Sequence, residues 1–103
     1  MKLHRNLSSG QEAQAEHNLC EAVASLRTGE EVRSFFKDLC TPAELQAMAD
    51  RWAVVRWLQQ GTPYREIHSL TGVSVTTISR VARCLGAGNG GYALAVRRTA
   101  GGH

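Results

Sequence analysis

The sequence predicts an all-α fold of five to six short helices, and three observations predict it. Three helix starts carry one four-residue pattern: Ser9-Gly10-Gln11-Glu12, Thr28-Gly29-Glu30-Glu31 and Thr41-Pro42-Ala43-Glu44. Each pairs a Ser or Thr that can cap a helix N-terminus with a Glu that can return the bond three residues on. Apolar residues after these starts recur at three- and four-residue spacing, the period of an amphipathic helix. Finally, residues 62–85, TPYREIHSLTGVSVTTISRVARCL, read as two short helices joined by a tight turn, the layout of a helix-turn-helix.

The first helix is expected over about 10–27, with Leu19, Val23 and Leu26 inward, and the second over about 29–39, with Val32, Phe35, Phe36 and Leu39 inward. The third spans about 42–60 and stops at Gly61, a residue suited to the position after a helix end. Its stripe of Leu45, Met48, Trp52 and Val55 is widened by Val54, Trp57 and Leu58 to much of the circumference. A helix that is apolar nearly all round is buried on most sides. Few other helices are available in a chain of 103 residues, so a partner subunit is expected to supply the rest, giving a homodimer. The alternative is a Trp57 that lies half exposed.

In the helix-turn-helix, Thr62 can cap the fourth helix, and Pro63 suits its first turn, where a missing N–H costs nothing. Tyr64, Ile67 and Leu70 share a face. Gly72 supplies the backbone freedom the reversal needs, Val73 plugs the gap between the helices, and Ser74 caps the fifth helix, over about 74–85. Ile78, Val81 and Leu85 form its inner stripe. Ser74, Thr76, Thr77, Ser79, Arg80 and Arg83 then face outward with no acidic residue among them, and Arg65 lies near the nucleic-acid backbone. Such side chains suit double-stranded DNA: Arg reaches guanine edges or phosphate, and Ser and Thr contact phosphate or either type of base. The competing reading is a helical hairpin with a solvated outer face.

Past the fifth helix, Gly86 is expected to cap it and Gly88-Asn89-Gly90-Gly91 to form a flexible loop. That loop is no phosphate cradle, because no strand precedes it and no GK[ST] follows. Tyr92 to Arg98 form one more short helix. The domain is thus expected over 9–98, with 1–8 and 99–103 as disordered ends.

Composition agrees with a nucleic-acid partner. The formal charge of +3 is uneven: residues 1–40 hold five basic and six acidic residues, whereas 41–103 hold seven arginines and three acids. The excess falls on the half with the helix-turn-helix, as an electrostatic footprint for phosphate requires. No apolar run suggests a signal peptide or a membrane span, and a cytoplasmic protein is expected. Cys20, Cys40 and Cys84 are odd in number and far apart, which points to reduced thiols. His4, His17, His68 and His103 show no ligand spacing, so neither a metal nor a cofactor is expected. No nucleophile–base pair or carboxylate pair stands out, so no catalytic residue is assigned.

The run LCTPAELQAMADRW, the segment TGVSVTTISRVARCL and the following GNGGY resemble the Trp repressor superfamily, in particular its small Trp-repressor-like branch of the YerC/YecD type. The resemblance covers roughly residues 30–94. It implies a six-helix intertwined dimer whose recognition helices read half-sites about one helical turn, roughly 34 Å, apart. In the Trp repressor the amino-acid corepressor sits between the third helix and the recognition helix. By resemblance, Thr41, Arg51 and Arg80 match the threonine and the two arginines that line that pocket. The next position is glycine there and leaves room for the indole; here it is Val81, and the pocket serine corresponds to Cys84. Overpacking a tight site costs about 1–3 kcal/mol. Tryptophan is therefore expected not to bind, or only weakly, and the site is a vestige.

These readings converge on a sequence-specific DNA-binding transcriptional regulator of a repressor family, acting as a homodimer without tryptophan as corepressor. The alternative is a small helical protein-interaction module that keeps the fold without operator binding.

Overall fold

A computed structural model describes residues 8–101, with side chains described as far as Thr99. Those residues form six α-helices and no strand: α1 (Ser9–Ala24), α2 (Gly29–Leu39), α3 (Pro42–Gln59), α4 (Tyr64–Thr71), α5 (Val75–Ala87) and α6 (Gly91–Gly101). The chain divides into two compact units, one ending at Cys40 and the other beginning at Thr41.

In the first unit the capping pattern is present but shifted. Ser8, not Ser9, caps α1: its Oγ accepts from the Gln11 N–H at 3.1 Å, and its own N–H donates to Gln11 Oε1 at 2.9 Å. The stretch Ser8-Ser9-Gly10-Gln11-Glu12 offers two frames for a capping box, and the earlier one leaves Glu12 in the first turn, where the helix N-terminus favours negative charge. Ser8 is therefore a helix cap, not part of a disordered end; the remainder of that expectation, residues 1–7, lies outside the described residues. α1 also stops earlier than the spacing predicted. Ser25 and Leu26 turn their N–H groups back onto the carbonyls of Glu21, Ala22 and Val23, and the Ser25 hydroxyl donates to Ala22 O at 2.7 Å. This turn lets Thr28 cap α2 by accepting from the Glu31 N–H at 3.1 Å. The Glu31 carboxylate reaches past Thr28 to the Arg27 N–H at 2.7 Å, so this box is offset by one residue. No residue of α1 or α2 is buried. Val23, Leu26, Val32, Phe35 and Phe36 are half-buried, while Leu19 and Leu39 are exposed.

The second unit holds the core. Val54 and Val55 of α3, Ile67 of α4, Val73 of the turn, and Ile78 and Val81 of α5 are buried together, with Trp57, Leu58, Leu85, Tyr92 and Val96 against them. Each fully buried Val or Ile contributes about 1.5–3 kcal/mol over its exposed state. α3 starts with the complete box the sequence predicted, Thr41 accepting from Glu44 N–H at 3.1 Å and Glu44 Oε1 from Thr41 N–H at 2.8 Å. It ends in a Schellman motif. Gly61, at φ 81°, donates to Leu58 O at 3.0 Å, and Thr62 N–H donates to Trp57 O at 3.1 Å. Thr62 is thereby bound into the end of α3. It does not cap α4, whose N-cap is Pro63 with no side-chain bond. α6 packs against α3 and α5, and Tyr92 stacks on Trp52 with ring centroids 6.4 Å apart.

Several apolar positions stay outside this core. Ile67 is fully enclosed, but Tyr64 and Leu70 are exposed. Three residues to either side of Ile67, they sit about 60° off its direction on opposite sides, so the short α4 turns only its middle inward. Trp52 likewise remains exposed, although Tyr92 of α6 stacks on it. The end of α5 also differs from expectation. The helix runs through Gly86 and stops at Gly88, whose N–H donates to Cys84 O at 2.8 Å and where an added Cβ would collide with that same oxygen. α6 continues to Gly101, past the boundary at 98 and into the segment read as a disordered tail.

Candidate nucleic-acid interface

The turn between α4 and α5 is held by three side chains. Gly72 takes φ 78°, the left-handed conformation that glycine adopts without strain. Thr71 Oγ1 donates to Ile67 O at 2.7 Å and accepts from the Val73 N–H at 3.1 Å. His68 Nδ1 lies 2.7 Å from Val73 O. A carbonyl oxygen only accepts, so the Nδ1 atom carries the proton. Val73 is pinned from both ends of its backbone, and its side chain, 5% exposed, fills the gap between the helices as the sequence predicted. The roles of His68 and Thr71 were not read from the sequence. A Thr able to bond back to the carbonyl four residues earlier is a legible signal; nothing local marks His68.

Ser74 then caps α5, accepting from the Thr77 N–H at 3.1 Å and donating its hydroxyl proton to Thr77 Oγ1 at 3.0 Å. That commits Ser74 to the helix start. Ile78 and Val81 are fully buried, and Leu85 is half-buried. The opposite face of α5 forms an open groove lined by Val75, Thr76, Thr77, Ser79, Arg80 and Arg83. It gathers five of the seven residues assigned to DNA from the sequence. Ser74 stands at its head, and Arg65 is exposed on α4 outside the groove lining. Thr77 and Ser79 are half-buried; Thr76, Arg80 and Arg83 are exposed. No acidic residue lies in α5, and among the described residues neither arginine forms an ion pair. The groove therefore offers hydroxyls and two uncompensated guanidinium groups.

The residues matched to a corepressor pocket are placed differently. The Thr41 side chain caps α3. Arg51 is half-buried on α3, Arg80 lines the outer groove, and Cys84 is exposed. Val81 is fully enclosed in the core, where it supports the helix pair. Among the described residues no group of His, Cys, Asp and Glu is arranged to hold a metal ion.

This geometry has known counterparts. The family model described as Trp repressor protein matches residues 14–100. The chain is 46% identical over 80 residues to the uncharacterized protein YerC of Bacillus subtilis (strain 168), covering 78% of this chain and 77% of that one. It is also similar to the crystal structure of a TrpR-like protein from Eubacterium eligens ATCC 27750, with TM-score 0.79 and 38% identity, over 84% of this chain and 90% of that one. A second crystal structure, from Staphylococcus aureus, matches with TM-score 0.79 and 35% identity, over 90% of this chain and 95% of that one.

Proposed function

The chain belongs to the Trp repressor protein family, a family of helix-turn-helix regulators, and on that footing we propose that it is a homodimeric, sequence-specific DNA-binding regulator of transcription. The observation that carries this reading is the outer groove of α5, with exposed Arg80 and Arg83 and no carboxylate in the helix. In this reading Thr76, Thr77 and Ser79 face base edges or phosphate, Arg80 and Arg83 neutralise phosphate or reach guanine, and Arg65 touches the backbone from α4. Ser74 contributes by fixing the start of the helix. The fold serves as a rigid mount: Ile67, Val73, Ile78 and Val81 hold α5 so that its polar face stays presented.

Dimerisation draws support from what one chain leaves uncovered. An α1 and α2 without one buried residue, and a Trp52 that is 43% exposed, leave apolar surface that a second copy would remove from water. Among the described residues no helix is long and apolar enough to cross a membrane, so this surface does not mark a span.

Tryptophan is not the effector in this reading, because Val81 occupies core space. Fluorescence anisotropy with a duplex selected from a random library tests the interface. Arg80→Ala and Arg83→Ala each weaken binding, and a phosphate contact shows as a salt slope smaller by about one. Unchanged affinity in both variants would place the interface elsewhere.

A further inference from the structure

Val75 is the single apolar side chain in a groove otherwise lined by hydroxyls and guanidinium groups. It is 44% exposed and occupies the first position of α5, beside Thr76, Thr77, Ser79, Arg80 and Arg83. Its neighbour Ser74 is taken up by the helix cap. The first turn of α5 thus turns to the outside one rigid pair of methyl groups and the side chain of Thr76. A β-branched residue in a helix holds essentially one rotamer, so those methyls have a fixed direction. In a helix-turn-helix the N-terminal residues of the second helix meet base edges. The major groove presents one apolar feature at those edges, the C5-methyl group of thymine. A protein partner would meet the same valine beside two guanidinium groups that have no ion pair among the described residues, whereas the DNA backbone supplies the anions those groups lack.

We propose that Val75 is a specificity-determining residue that selects thymine in each half-site by packing on its C5-methyl group. The inference rests on the DNA-binding reading above and adds the base that is read. No base hydrogen bond is needed for this step, so the preference is separable from contacts made by arginine or threonine.

Deoxyuridine in place of thymidine removes that methyl and leaves the hydrogen-bonding edge of the base pair unchanged. The test takes a duplex selected from a random library and replaces its thymines one at a time, measuring affinity for the wild-type chain and for Val75→Ala. The expected result is one thymine per half-site at which deoxyuridine weakens wild-type binding by about fourfold, the effect of one buried methyl-sized group, while Val75→Ala is indifferent at that position. Val75→Thr, which keeps the branched shape and one methyl, retains part of the discrimination. A wild-type protein indifferent to every replacement overturns the proposal, as does an equal loss in Val75→Ala; DNA binding itself then still stands. Failure of the wild type to bind any duplex removes the DNA-binding reading and this inference with it. Far-UV circular dichroism of both variants checks that the helices are intact.

Discussion

The Nδ1 atom of His68 lies 2.7 Å from the carbonyl oxygen of Val73, so α4 grips the residue that leads into α5. The bond crosses the turn. It joins one helix of the pair to the backbone that sets the direction of the other, next to a Val73 side chain that is itself buried. A polar contact thus fixes the angle at which the outer groove is presented.

Removing that grip weakens both stability and binding. His68→Ala is expected to lower the unfolding free energy by about 1 kcal/mol, the usual net worth of one hydrogen bond. DNA affinity falls as well, although in this account His68 makes no contact with DNA. Urea denaturation and anisotropy titration measure the two effects. A variant with full stability would show that the contact contributes nothing.

Gly72 is expected to resist substitution for a backbone reason. Its φ of 78° places it in the left-handed region, and open space surrounds the position a Cβ would take. Strain, not collision, therefore sets the penalty of Gly72→Ala, about 1–2 kcal/mol. Gly72→Asn is milder, since Asn tolerates this conformation better than other residues. Thermal unfolding of the two variants tests this ranking.

In this account Val81 excludes the corepressor. Isothermal calorimetry with L-tryptophan is expected to show no binding in the micromolar range, because the valine side chain is fully enclosed among core residues. Val81→Gly loses roughly 2–4 kcal/mol of stability, from lost burial and from glycine's poor helix propensity. Micromolar binding by the wild type would mean that the core around Val81 opens to admit an indole.

Much of this was legible because the signals are local. Thr41 with Glu44, Ser74 with Thr77, and Gly61 and Gly72 at helix ends all act within five residues, where sequence spacing is spatial spacing. The outward face of α5 was legible for the same reason: burial of Ile78 and Val81 dictates which side of the helix points away. Where local signals were duplicated, the reading slipped. Ser8 and Ser9 are both competent caps, and Gly86 and Gly88 are both competent stops; the collision of any side chain at Gly88 with the Cys84 carbonyl is visible only in three dimensions. Thr62 carries a cap signal in the sequence, but a Schellman motif competes for the same residue. Nothing local marks His68, because its partner lies across a turn.

Oligomeric state gives a fourth expectation. For a dimer whose protomers stabilise each other, the unfolding midpoint rises with protein concentration. Sedimentation velocity is expected to give twice the 11.2 kDa chain mass. Trp52→Glu, a charge on an exposed apolar position of α3, shifts the equilibrium toward monomer if that position lies in the dimer interface. A monomer at all concentrations, with an unfolding midpoint that does not move, would contradict the expectation.

The most direct test of the central claim is selection of duplexes from a random library by the purified chain, followed by salt titration of the best sequence. The account predicts a two-fold symmetric consensus with half-site centres about 10 base pairs apart, and an affinity that falls steeply as salt rises. A pool with no enriched sequence, together with no duplex binding at low salt, would contradict it.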